Sequence, residues 1–158
     1  GLGDVYKRQY TKGRQNLQMN ILFFLTPKSE VAYVEETDTL RQALEKMEHH
    51  GYAAVPLLST EGKYLGTLTD GDVLWGLKKL NFPSLYQMEE IPVMQVNRSR
   101  DNKPVHVNVD MEGLLEKVSA QNFVPVIDDE KVFIGIITRR DVIHYLAKQC
   151  RSREESAV

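Results

Sequence analysis

Two stretches of this chain set a glycine, a threonine and an acid at a spacing that can cradle a nucleotide. Gly66-Thr67-Leu68-Thr69-Asp70-Gly71-Asp72 closes one apolar run, and Gly135-Ile136-Ile137-Thr138-Arg139-Arg140-Asp141 closes another. In each, a strand-like pattern gives way to a helical one just after Thr69 or Thr138. A helix start offers unpaired backbone N–H groups and a partial positive charge, where phosphate binds readily. The threonine hydroxyl can donate or accept a hydrogen bond, and the acid three residues on can accept two from a ribose diol. Gly66 and Gly135 remove a side chain where ligand or backbone must come close. The same Thr-x-x-Asp spacing is that of a capping box, with threonine at the N-cap and the acid at N3, so helix stability alone also accounts for it.

The two copies differ in charge. Arg139 and Arg140 follow Thr138, and paired guanidinium donors favour an anionic ligand. Asp70 and Gly71 follow Thr69, where the acid repels one. Arg139 and Arg140 equally suit a solvent-facing helix start.

These stretches belong to a longer repeat. Tyr64–Val73 is echoed by Phe133–Val142, each residue 69 positions after its counterpart, and Val55-Pro56-Leu57-Leu58 pairs with Val124-Pro125-Val126-Ile127 at the same offset. Upstream the offset becomes 71, where Leu40, Ala43, Leu44 and Met47 match Met111, Leu114, Leu115 and Val118. A repeat of this length makes two packed copies of one fold unit. The expected organisation is an N-terminal extension over 1–18, a first repeat with its arm over 19–80, a connector over 81–90, a second repeat over 91–148 and a solvated tail over 149–158. Met19 is a plausible native start.

Within one unit the order is β-α-β-β-α, an α/β (α+β) fold of two repeats. Val31–Val34 is a short strand; Asp38 or Thr39 caps a helix bearing the Leu40, Ala43, Leu44, Met47 stripe; Gly51 ends it. Ala53–Leu58 and Tyr64–Thr69 are strands, and a helix runs to about Leu80. The second unit repeats this over Val105–Val107, Met111–Ala120, Phe123–Asp128, Val132–Thr138 and Arg140–Lys148. Ile21–Leu25 is an apolar arm for the pair or for a dimer partner.

Bulk properties exclude several classes. The 158 residues suit one domain or two small halves sharing a core, and a net charge of −2 gives no basic footprint for nucleic acid. The apolar run Ile21–Leu25 is too short to span a bilayer, and the single Cys150 fits a cytoplasmic protein. His49 and His50 suit a helix C-terminus, and His106, His144 and Cys150 lack metal-ligand spacing. No nucleophile elbow, Walker loop or zinc spacing is present, so no catalytic residue or metal site is assigned.

The paired β-α-β-β-α pattern, with apolar-Pro-apolar on one strand and Gly-apolar-apolar-Thr-x-x-Asp at the last strand–helix junction, resembles the CBS (cystathionine-β-synthase) domain family. The resemblance covers most of the chain and implies a pseudo-symmetric pair, often assembled into a disc-like homodimer. It further implies a stand-alone regulatory module that requires no cofactor and binds an adenine nucleotide (AMP, ADP, ATP) or a cyclic dinucleotide to signal to a regulated protein. The Gly51–Pro56 and Gly135–Arg140 segments resemble a bacterial subgroup that are receptors for cyclic di-AMP. By this analogy one cleft comprises Ala32, Tyr52, Ala53, Ile136, Thr138, Arg139, Arg140 and Asp141. A second, weaker one comprises Thr67, Thr69, Asp72, Lys103, Asn122 and Phe123. The alternative is a structural, ligand-free CBS-pair dimer in which the threonines and aspartates serve only as caps.

Overall fold

The computed structural model describes residues 20–157. The proposed extension over 1–18 and the start at Met19 lie outside the described residues. The first repeat contains β2 (Val34–Glu35), α1 (Leu40–His50), β3 (Ala54–Leu58), β4 (Tyr64–Thr69) and α2 (Asp70–Lys79), preceded by β1 (Thr26–Pro27). A short helix, α3 (Leu85–Met88), lies in the connector. The second repeat contains β5 (Val105–His106), α4 (Met111–Ala120), β6 (Phe123–Ile127), β7 (Phe133–Thr138) and α5 (Arg139–Ser156). Among the described residues no helix is long and apolar enough to cross a membrane.

Local chemistry explains these boundaries. At α1 the cap is Thr39, whose Oγ1 accepts from Gln42 N while Gln42 Oε1 accepts from Thr39 N. Asp38 instead accepts from Glu35 N and from Lys46 Nζ. Leu40, Ala43 and Met47 are buried, and Gly51 ends the helix in the left-handed conformation at φ 63°. The expected strand over Val31–Val34 is corrected to Val34–Glu35, because a 3-10 turn over Lys28–Glu30 delays the chain's entry into the sheet. The last helix is longer than the expected Arg140–Lys148, while residues 149–157 are exposed. Helix α5 runs on to Ser156, with neither Gly nor Pro to stop it.

Two sheets form, in the orders β1-β7-β6-β5 and β2-β3-β4. Their hairpins meet at the turns, where Phe133 N donates to Gly62 O at 2.9 Å and the Tyr64 and Phe133 rings stack. The segment that precedes each repeat packs into the other repeat. Ile21, Leu22, Phe24 and Leu25 join the core of Val105, Leu114, Val118, Val124, Val126 and Ile137 in the second repeat. The connector between α2 and β5 extends beyond the expected 81–90, and its Met88, Val93 and Val96 join the core of Val34, Leu40, Val55, Leu57 and Leu68 in the first. Of the two places expected for the arm, the pair or a dimer partner, it takes the pair, in the core of the second repeat.

β1 completes this crossing by pairing antiparallel with β7, Thr26 opposite Ile136 and Pro27 opposite Gly135. A Cβ at Gly135 would collide with the Thr26 carbonyl oxygen and come within 2.9 Å of Leu25 Cδ1. Glycine is required here by the close approach of backbone. Gly135→Ala is expected to lower the melting temperature by about 3–9 °C, the cost of overpacking in a chain of this size. Gly71→Ala, whose Cβ would meet only Thr69 Oγ1 at 3.7 Å, is expected to cause no loss. Thermal unfolding of the two variants side by side checks this.

Candidate functional site

The crossing of the arm opens a cavity of about 280 Å³ between the repeats. The segment that continues the arm contributes Thr26, Glu30, Val31 and Ala32; the approach to β3 contributes Tyr52, Ala53 and Ala54. Asn122 and Phe123 come from the start of β6, and Ile136 and Thr138 from β7. Most of the lining is small or apolar, with Thr26, Glu30, Asn122 and Thr138 as its polar groups, and Tyr52 stands half exposed at the rim with its ring stacked on His50. Of the expected cleft residues, Ala32, Tyr52, Ala53, Ile136 and Thr138 are brought together.

Three others lie elsewhere. Asp141 is exposed and lines an adjoining hollow, one turn along α5 from Thr138. Arg140 is exposed and has no acidic partner within 4.0 Å among the described residues. Arg139 is turned away, its Nε donating to Val118 O at 2.7 Å. That bond satisfies a carbonyl in the last turn of α4, so Arg139 acts as a helix C-terminal partner and not as a cleft donor.

Sequence reasoning places the small side chains of Ala32, Ala53 and Ala54 around an adenine but misses Thr26, Glu30, Val31 and Pro56, and it assigns Asn122 and Phe123 to the other cleft. The repeat offset carried a signal for Asn122. It lies 69 positions after Ala53, and the two occupy equivalent places at their strand starts. Ala53 O accepts from Asp70 N and Asn122 O accepts from Arg139 N, both at 2.9 Å. The Thr26 signal is absent, since a two-residue strand has no periodicity.

The second expected cleft, around Thr67, Thr69 and Asp72, is filled by the chain's own connector. Ser99 donates from both N and Oγ to Asp72 Oδ1, at 2.9 and 2.8 Å. Asp101 Oδ1 accepts from Thr67 N at 2.9 Å, and Asn102 N donates to Thr67 Oγ1 at 3.1 Å. Arg98 holds Asp101 in place, and the carboxylate occupies the space a Cβ on Gly66 would need. Tyr64 donates to Asn102 O at 2.6 Å; burial pushes its hydroxyl pKa up to about 12, so it remains a donor at neutral pH. Lys103 is clasped through its backbone by the Gln121 amide, away from Asp72. The assignment of Thr67, Thr69, Asp72, Lys103, Asn122 and Phe123 to one open site is corrected accordingly. The connector has taken the hydrogen bonds, and Asn122 and Phe123 line the other cavity.

The two Thr-x-x-Asp elements therefore differ in use. At α2 the capping box is complete: Asp72 N donates to Thr69 Oγ1, and Asp72 Oδ2 accepts from Thr69 N at 3.1 Å. Asp72 is only 3% exposed. At α5 half of the box forms. Thr138 accepts from Asp141 N at 3.1 Å, and no hydrogen bond reaches the Asp141 carboxylate among the described residues. Among the same residues, no group of three or more His, Cys, Asp or Glu could hold a metal ion.

Comparison with known proteins places this geometry among relatives. The CBS domain family model matches residues 24–79 and 93–148. Cyclic di-AMP receptor B of Bacillus subtilis is 32% identical over 143 residues, covering 87% of this chain and 93% of that protein. The crystal structure of CbpB in complex with c-di-AMP superposes with a TM-score of 0.78 over 99% of each chain at 21% identity, a likeness of fold. A hypothetical conserved protein from Geobacillus kaustophilus superposes with a TM-score of 0.73 at 28% identity, over 84% of this chain and 99% of its own.

The filled cleft makes a pH-dependent contribution to stability. Burial pushes the Asp72 carboxyl upward, but hydrogen bonds from Ser99 and Thr69 outweigh it and hold the pKa below its ordinary 3.8. A depressed folded-state pKa means the unfolded chain takes up the proton first. The contribution is complete above 3.8 and is lost as pH falls below it toward the folded value. Asp72→Asn is expected to unfold at lower temperature than the wild type at neutral pH, and to lose less stability on acidification. Melting temperatures between about pH 6 and about pH 3 provide the measurement.

Proposed function

This chain belongs to the CBS domain family, as a tandem pair, and from that premise we propose that it is a non-catalytic receptor for an adenine nucleotide, cyclic di-AMP foremost, bound in the cleft between the repeats and signalling to a protein partner. The homology to a cyclic di-AMP receptor supports the ligand class. The observation that carries the site is the unequal use of the two Thr-x-x-Asp elements. Asp72 is consumed by the connector, whereas the Asp141 carboxylate, beside an open cavity, accepts no hydrogen bond among the described residues. Ala32, Ala53 and Ala54 leave space for a flat adenine, with Tyr52 at the rim. The ribose then reaches toward the start of α5, between Thr138 and Asp141, and the exposed Arg140 answers the phosphate charge.

The second cleft follows the purely structural alternative, with Thr69 and Asp72 as caps. Signalling requires that ligand bind two arrangements of the pair unequally. A cytoplasmic homodimer is the form we propose for it. Exposed Leu74 and Ile143, equivalent positions on α2 and α5, support a two-fold contact face there.

Thermal shifts against AMP, ADP, ATP and cyclic di-AMP, beside a guanine nucleotide, test the reading. Cyclic di-AMP at about one hundred times its Kd is expected to raise the melting temperature by about 5–10 °C. Asp141→Ala is expected to remain folded and to bind at least about tenfold more weakly, as loss of a charged hydrogen-bond acceptor implies. A flat panel, or an unchanged affinity in the folded variant, would remove the site.

A further inference from the structure

The cleft does not end at Thr138. A second hollow, of about 660 Å³, lies beside it and shares Thr26 as a lining residue. The start of α5 forms the ridge between them, with Thr138 on the cleft side and Asp141 on the other. The floor of this hollow is aromatic. Phe23, Phe24 and Tyr145 pack edge to face in a closed trio, with centroids 5.3 to 5.7 Å apart. Phe24 is buried, but Phe23 is 53% exposed, so a large apolar ring held rigidly by two others is presented to solvent. Lys148 stands at the edge of the same hollow.

The first cavity, at about 280 Å³, lies just below the ~300–1,000 Å³ range of small-molecule pockets. It suits one nucleoside and not two. A cyclic dinucleotide anchored there must direct its second half outward, and the hollow that shares Thr26 with the cleft offers that half an aromatic floor. We infer that this hollow takes the second purine nucleoside of a cyclic dinucleotide, its base stacked on Phe23 and the adjoining phosphate met by Lys148. This rests on the receptor reading above and extends it. The cleft alone serves any adenosine, and the Phe23 shelf selects the dinucleotide over the mononucleotide. Aromatic stacking suits this role because every purine offers a π-face and a rigid ring loses little freedom on binding.

Calorimetric titration of AMP and of cyclic di-AMP into the full chain separates the two levels. Phe23→Ala is expected to weaken cyclic di-AMP by about tenfold, the worth of one base–aromatic stack, and to leave AMP within about twofold. Because Phe23 also steadies the arm, Lys148→Gln, an exposed position, serves as the second variant. It is expected to weaken cyclic di-AMP by about threefold or more and to leave AMP unchanged. If either folded variant affects both ligands alike, or neither, the shelf is not a subsite and the inference is overturned while the receptor reading stands. If the wild type binds neither ligand, both fall, and that outcome is read before any variant is made.

Discussion

The structure depends on the laying of Thr26–Pro27 against β7 at Gly135, where no side chain fits. That contact carries the chain from one repeat across the other before the first repeat begins. It inserts Ile21, Leu22, Phe24 and Leu25 into the second core, so neither half closes its apolar interior alone. It also draws Val31 and Ala32 across the inter-repeat boundary, where they become a wall of the cleft. The connector makes the same crossing in the other direction, with Val93 and Val96 in the first core.

One swap repeated twice gives two unequal clefts because the crossing segments differ. On the arm side the chain passes the cleft with Val31 and Ala32, whose short side chains leave a cavity. On the connector side it passes with Arg98, Ser99, Asp101 and Asn102, whose polar groups reach into the equivalent space and bond to Thr67 and Asp72. Thr67 and Asp72 are 1% and 3% exposed, and stripping them of partners would leave buried polar groups unsatisfied. The filled cleft is a fixed part of the fold. The open one, where the Asp141 carboxylate and Arg140 have no hydrogen-bonded or acidic partner among the described residues, is the one we propose for the ligand. A relative that matches most of the chain is a cyclic di-AMP receptor, which supports the proposed binding role.

Much of this was legible in the sequence, for identifiable reasons. The repeat at a spacing of 69 gave the two units, and the Leu40, Ala43, Met47 stripe with Gly51 gave α1, because core-facing periodicity and helix stops are local signals. Ala32, Tyr52, Ala53, Ile136 and Thr138 were grouped together by family pattern, and the structure gathers them around one cavity. What escaped was tertiary. Thr26 lies on a two-residue strand whose partner is 110 positions away at Ile136, which no periodicity marks. The polar run Arg98–Asn102 reads as an irregular approach, and only its hydrogen bonds across the boundary show it as a filler. Arg139 sits beside Arg140 in sequence, yet a helix start turns neighbours to different sides, and Val118 O captures the first.

The asymmetry of the two clefts is tested most directly by stoichiometry. Calorimetric titration of cyclic di-AMP into the purified chain is expected to give one molecule bound per chain, with the same value when the concentration of ligand is raised well past saturation. Two molecules per chain would show the connector side to be open as well and would contradict the division of labour between Asp72 and Asp141. No binding would contradict the receptor itself.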